Sequence, residues 1–322
     1  MLRLIFTLFL ILGVQTAFAE VPRVVADIRP VQALVARVMA GLTIPSLLVQ
    51  PGYDLKSYQL RASDYGKLDR ADLVFWVGHA LTPGLSTQIS RRKDDLISVS
   101  LLKVRHTRLL RYRSSEMFRD SSHVEHLLVP GVNISTDSAH RDHLMHDDSD
   151  AEVVIDPHAW LDPSNAKLWV DEIAIALSRF DPENAEVYLA NAWHAKTEID
   201  YEITKARKIL RPLSRTPFIV YRDRYHYFEA FFDIRAVDAI YLQGQFRTNR
   251  SAEVRNVLTR SDISCAFIDP KFDISQLQDV VRGTNAQLAF LDPLGVYLPS
   301  GPSFYPLLLR SLAEDFAHCL KP

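Results

Sequence analysis

From Glu183 to Arg211 the chain runs without a single glycine or proline. Pro212 ends the run, and Asp181-Pro182 precedes it with an N-cap residue followed by a proline suited to the first helical position. Val187, Leu189, Ala190 and Trp193, then Ile199, Ile203, Ala206 and Ile209, recur at helical spacing. This predicts one helix about 40 Å long at 1.5 Å per residue. A rod of that length is too long for the interior of a small domain, and its natural use is a rigid backbone between two lobes.

On both sides of the rod, apolar strand-like runs alternate with helical patterns. Val24–Ile28, Leu47–Gln50 and Leu73–Gly78 precede it; Pro217–Tyr221, Ala236–Tyr241, Cys265–Ile268 and Leu288–Leu291 follow it. Between them lie helical segments opened by Pro30, at 61–70, and near 225–232, 251–260, 275–283 and 304–319. The fold class expected is α/β, with two (βα) lobes of parallel sheet joined by the long helix. The expected divisions are a signal peptide at 1–19, an N-terminal lobe at 20–180, the backbone helix at 181–212 and a C-terminal lobe at 213–322. Residues from about 103 to 151 are polar, rich in His, Asp, Ser and Arg, and lack sustained periodicity; they read as an irregular exposed insert.

The amino terminus carries an export pattern. Arg3 is followed by the apolar run Leu4–Val14, which is short for a bilayer span, and Ala17-Phe18-Ala19 satisfies the small-x-small rule for cleavage after Ala19. An uncleaved anchor is the alternative. Export leads to a periplasmic location and to an oxidising compartment. There the two cysteines, Cys265 and Cys319, read as a disulfide, with two buried free thiols as the alternative. The formal net charge of −2 gives no reason to expect nucleic acid as a partner.

Ligands of open α/β sheets bind beyond the carboxyl ends of strands. Those ends lead here to Asp54 and Lys56, to Asp156 and His158, to Arg222 and Asp223, and to Asp269 and Asp292. No Walker loop, nucleophile elbow, dinucleotide fingerprint or H-E-x-x-H motif is present, so no enzyme class is indicated.

The stretches L-K-S-Y-Q-L-R-A-S-D at 55–64, A-D-L-V-F-W-V-G at 71–78, H-A-W-L-D-P at 158–163 and Y-R-D-R-Y-H-Y-F at 221–228 occur in that order. They are followed by F-I-D-P-K-F at 267–272, R-G-T at 282–284 and L-D-P-L-G at 291–295. Taken together, the chain resembles the zinc-binding solute receptors of bacterial ABC importers, the ZnuA type of the manganese/zinc receptor family. The resemblance implies a monomer that holds a divalent metal ion between two lobes and delivers it to an ABC permease in the inner membrane. It also implies histidine ligands from the first loop, from H-x-W-x-x-P and from F-H-D-x-Y-x-Y-F, with a carboxylate from the L-D-P-L-G position.

Two of those positions are altered: Lys56 stands in the first loop and Arg222 in the third motif. Arginine is always protonated and cannot coordinate a metal, and lysine must first lose its proton. His158 and Asp292 remain as ligand types, so zinc binding in the cleft is expected to be weak or absent, and Arg222 is expected to pair with Asp292. For His158 the alternative is a structural role beside Trp160, and for Asp292 it is capping of its own turn. In the insert, His140, His143 and His146 recur at three-residue spacing, as a metal-collecting loop or as plain solvated chain. A relative that acts as a sensor or interaction protein without tightly bound metal, or that binds an anionic ligand or metal chelate through Lys56 and Arg222, is the alternative function.

Overall fold

The computed structural model describes residues 20–92, 96–113, 155–242, 245–246, 250–260 and 263–321. The first sheet contains β1 (Val24–Ala26), β2 (Ser46–Leu47), β3 (Leu73–Trp76) and β4 (Ile97–Ser100), parallel throughout and ordered β2-β1-β3-β4. Helices α1 (Arg29–Val38), α2 (Ala62–Leu68) and α3 (Pro83–Arg91) connect these strands, and α4 (Pro163–Phe180) follows them.

The long rod is α5 (Ala185–Leu210). Beyond it come β5 (Phe218–Arg222), α6 (His226–Phe232), β6 (Ala236–Leu242), β7 (Gln245–Phe246) and α7 (Arg250–Arg260). The chain closes with β8 (Cys265–Ile268), α8 (Ser275–Val281), β9 (Gln287–Phe290) and α9 (Phe304–Leu320). The second sheet is ordered β7-β6-β5-β8-β9, parallel except for the two-residue β7, which runs antiparallel to β6 at the edge. This is the expected two-lobed α/β architecture.

The central strands β5 and β8 of the second sheet are buried on both faces, as parallel strands covered by helices must be, while the edge strand β9 is partly exposed. In β5, Phe218 and Val220 join the large core shared with α5 and α9, while Ile219 and Tyr221 join a separate cluster with Val254, Leu258 and Leu277. Period-two alternation therefore feeds two cores from one strand. It also directs Cys265 toward α9, where it is bonded to Cys319 with 5.9 Å between their Cα atoms.

The rod buries Tyr188, Ala192, Ala195, Ile199, Ile203, Ala206 and Leu210. The carboxy-terminal half of this stripe matches the apolar periodicity of the sequence. The amino-terminal half does not: Val187, Leu189 and Trp193 face solvent, Trp193 at 62% exposure, and the small Ala192 and Ala195 take the inner face. Small side chains there allow close packing of α4 against α5, and that packing outweighs the burial of larger residues. The expected cap is also displaced. Pro182–Asn184 forms a single 3-10 turn, and Asp181 accepts hydrogen bonds from Tyr188 Oη at 2.7 Å and Asn184 Nδ2 at 2.8 Å.

The segment read as the start of an exposed insert is packed instead. Leu109, Leu110, Tyr112 and Arg113 are buried, and Arg111 forms a bridge with Ile155. The Tyr227 hydroxyl explains this: it accepts from Leu110 N at 2.8 Å and donates to the Asp156 carbonyl at 2.9 Å. His140, His143 and His146 lie outside the described residues.

The disulfide spans 54 residues of sequence. Removing a cross-link that closes a loop of this size costs about 2–4 kcal/mol. A Cys265→Ser, Cys319→Ser double variant is expected to lose stability on that scale in urea denaturation of the oxidised protein. Equal stability of the two proteins would contradict it.

Candidate functional site

A cleft of about 250 Å³ opens where the loop after β2, Tyr112, the His158–Trp160 turn, the end of β5 and the turn after β9 converge. Its position beyond the strand ends follows from the parallel topology.

The turn after β9 is held from the other side of the molecule. Arg29, the first residue of α1, donates to the carbonyls of Gly295 at 2.7 Å, Val296 at 3.0 Å and Leu298 at 2.7 Å, and to Ser300 Oγ at 2.8 Å. Gly295 has φ +58°, and a Cβ there would lie 2.6 Å from Cζ of Phe304. No other residue fits that position without displacing the Phe304 ring. Trp160 Nε1 donates to the Pro293 carbonyl at 2.9 Å, which joins the H-A-W motif to the same turn.

His158 lines the cleft and is nearly buried. Its Nδ1 lies 2.6 Å from Asp156 Oδ1, which also accepts the His158 backbone N–H at 3.0 Å. A carboxylate on Nδ1 fixes the tautomer and leaves Nε2 as the basic nitrogen, the arrangement typical of metal-bound imidazoles. Asp292 is placed differently. Its two oxygens accept from Leu294 N at 3.1 Å and Val296 N at 2.5 Å, so it caps the turn that carries Pro293 and Leu294. Burial raises its pKa. Arg222 does not pair with it.

Lys56 and Arg222 both line the cleft. The Lys56 ammonium lies 4.8 Å from the centre of the Tyr112 ring, and the Arg222 guanidinium 4.3 Å from that of Phe272. Desolvation lowers the pKa of Lys56 first; Arg224 and Arg222 lower it further, against the attraction of Asp156 and Asp54. Arg224, also in the lining, pairs with Asp269 at 3.1 Å. Behind them stands Lys271, whose Nζ is buried and makes no hydrogen bond among the described residues. Burial, then Arg224, brings its pKa down to about 8.

Two strand-end carboxylates, Asp223 and Asp269, are engaged in pairs of their own. Arg113 is buried between Asp223, with Nε at 3.1 Å, and Glu229, with Nη1 at 2.8 Å. Those two carboxylates hold its pKa up despite the burial that opposes charge. Asp269 also meets the Tyr225 hydroxyl, which in turn reaches the Leu291 carbonyl at 2.7 Å. Among the described residues, no group of three or more His, Cys, Asp or Glu side chains is arranged to hold a metal ion.

The structure thus brings His158, Lys56 and Arg222 together and sets Asp292 into its own turn. It adds Arg224, Lys271, Tyr112 and Arg113. The R-D-R run at 222–224 and D-P-K at 269–271 carried the signal for the extra cations, at strand ends already marked as cleft positions.

The family described as "Zinc-uptake complex component A periplasmic", ZnuA, matches residues 24–319. The chain belongs to the ZnuA family. A high-affinity zinc uptake system protein ZnuA of Paracoccus denitrificans is 36% identical over 308 residues, covering 94% of this chain and 93% of the relative. That of Brucella abortus is 31% identical over 310 residues, covering 92% and 91%. A crystal structure of ZnuA matches the fold with TM-score 0.74 at 18% identity, covering 94% of this chain and all of that one. A manganese-bound periplasmic metal-binding protein of Candidatus Liberibacter asiaticus matches with TM-score 0.70 at 19% identity. No helix among the described residues is long and apolar enough to cross a membrane.

Lys271 gives this ZnuA-family cleft a pH signature. Its folded pKa of about 8 lies below the unfolded value of about 10.4, so the folded state disfavours its proton. The penalty is full below about pH 8 and vanishes as pH rises through the unfolded pKa. A Lys271→Met variant is therefore expected to exceed the parent in stability near pH 7.5, with the gap narrowing toward pH 10.5 in urea titrations. A gap independent of pH would contradict the assignment.

Proposed function

We propose that the protein is the extracytoplasmic solute-binding component of a zinc or divalent-metal ABC uptake system, with its cargo held in the cleft and His158 Nε2 as the donor from the chain. Membership of the ZnuA family over nearly the whole chain supports the transport role over that of a sensor or interaction protein. The observation that carries the site is the Asp156–His158 pair. An imidazole whose Nδ1 is held by a buried carboxylate is oriented with Nε2 free to meet a metal, and imidazole suits zinc.

The remaining parts of this reading follow from the same role. The protein is a solute-binding receptor rather than an enzyme, and it hands its cargo as a monomer to an inner-membrane ABC permease. Export proceeds through cleavage after Ala19. His140, His143 and His146, which recur at three-residue spacing, supply a second, metal-collecting histidine set.

Cells deleted for this gene are expected to accumulate less radioactive zinc under zinc limitation. A plasmid copy restores accumulation, and a copy carrying His158→Gln does not. Undiminished accumulation in the deleted cells would contradict the transport role; full restoration by His158→Gln would contradict the site.

A further inference from the structure

The rod α5 leaves three of its large side chains in water. Leu189 is 53% exposed, Trp193 62% and Tyr201 60%. With Thr197 they stand four residues apart, so they form one row along the helix, opposite the buried Tyr188, Ala195 and Ile199. The row then turns cationic. Lys205, Lys208 and Arg211 continue it at three- and four-residue steps, all exposed, and the Lys205 ammonium lies 4.2 Å from the centre of the Tyr201 ring. Residues 203–215 hold five cations, Lys205, Arg207, Lys208, Arg211 and Arg215, and no acid, in a chain of formal charge −2.

Folding accounts for the other charges of the rod but not for these. Lys196 meets Asp171, Asp200 meets Lys167 and Glu198 meets Arg37. Arg207, Lys208, Arg211 and Arg215 make no ion pair among the described residues. The helix dipole favours Arg207 and Lys208 in the last turn, yet Arg211 and Arg215 lie past its end. Glu186, an exposed carboxylate of the rod, sits in its first turn, at the far end. Exposed aromatic and aliphatic side chains that run into cations along one helix face suit the boundary of an anionic bilayer. There Trp and Tyr rest at headgroup depth, and Lys and Arg meet lipid phosphates. Lysine is depleted from protein–protein interfaces, so the mixture favours lipid over a protein partner.

We propose that the outward face of α5 docks peripherally on an anionic phospholipid surface. Leu189, Trp193 and Tyr201 enter the boundary between headgroups and acyl chains, and Lys205, Lys208 and Arg211 lie against lipid phosphates. A rod of 26 residues is about 39 Å long, so the contact is linear and sets the orientation of the whole molecule. No residue of α5 is among those lining the cleft, so a chain lying on its rod keeps the cleft free for cargo. The burial pattern of the amino-terminal half of the rod also gains a reason: its larger apolar residues serve an external contact. This inference goes beyond the transport reading above and stands without it.

The test is co-sedimentation of the full mature chain with vesicles of phosphatidylcholine alone and of equal parts phosphatidylcholine and phosphatidylglycerol. The protein is expected to sediment with the second kind at low salt, to stay in solution with the first, and to be released by added salt. Trp76, Trp160 and Trp169 are buried, so acrylamide quenching reads Trp193, and anionic vesicles should protect it. Lys208→Gln with Arg211→Gln should lower the partition coefficient about twenty-five-fold, from about five-fold per cation. Trp193→Ala should also weaken it, and the control Arg91→Gln on α3 should not. All these side chains are exposed, and urea titration checks that the variants remain folded. Equal sedimentation with both vesicles, quenching that vesicles leave unchanged, or variants that bind as the parent does would each overturn the inference. Trp193 protected without vesicles, in a protein that runs as a dimer, would assign the face to a second copy and overturn it as well. None of these results involves His158, so failure here leaves the transport reading standing.

Discussion

The fold depends on the helix α5. Its inner face is apolar apart from the buried Glu202, and ion pairs tie it to three other helices. Glu198 meets Arg37 of α1 at 2.8 Å, Asp200 meets Lys167 of α4 at 2.6 Å, Lys196 meets Asp171 of α4 at 2.6 Å, and Glu202 pairs with Arg310 of α9. The exposed pairs contribute little energy each, whereas Glu202 is itself buried and depends on Arg310 for its partner. Their effect is to fix the rotation of the rod, so that Tyr188, Ala192, Ala195 and Ile199 all face inward. The partners come from both sides of the molecule, and both sheets therefore take their position from one rigid element.

With the sheets so placed, strand ends from both face one cleft, and the chemistry there becomes a problem of charge. Arg113 absorbs Asp223 and Glu229 in a buried cluster, and breaking such a cluster is costly because the remaining charges stay buried. That cluster engages Asp223, just past the end of β5, with Arg113. Arg29 and Trp160 hold the Asp292 turn, and Asp292 is occupied in shaping it. Among the described residues, the Asp156–His158 pair sets an oriented imidazole in a cleft that Lys56, Arg222 and Arg224 also line.

Much of this was legible in the sequence, for identifiable reasons. Strand positions followed from apolar runs between helical segments, and the rod followed from the absence of Gly and Pro. The cleft positions of His158, Lys56 and Arg222 followed from strand ends and motif order. Orientation was not legible. Periodicity alone assigned Val187, Leu189 and Trp193 to the inner face of the rod, because hydrophobicity carries no information about how closely a neighbouring helix approaches. The pairing of Asp223 with Arg113 was hidden because Arg113 lies 110 residues away, in a segment whose polarity suggested exposure. For Asp292 the sequence offered both a cleft and a turn-capping role, and its two oxygens accept from the backbone of its own turn.

The most direct measurement is diffraction at the zinc edge from crystals of the mature protein grown with zinc. The account predicts an anomalous peak in the cleft about 2.0–2.1 Å from His158 Nε2. A zinc peak only outside the cleft, with the His158 imidazole bound to nothing but Asp156, would contradict it.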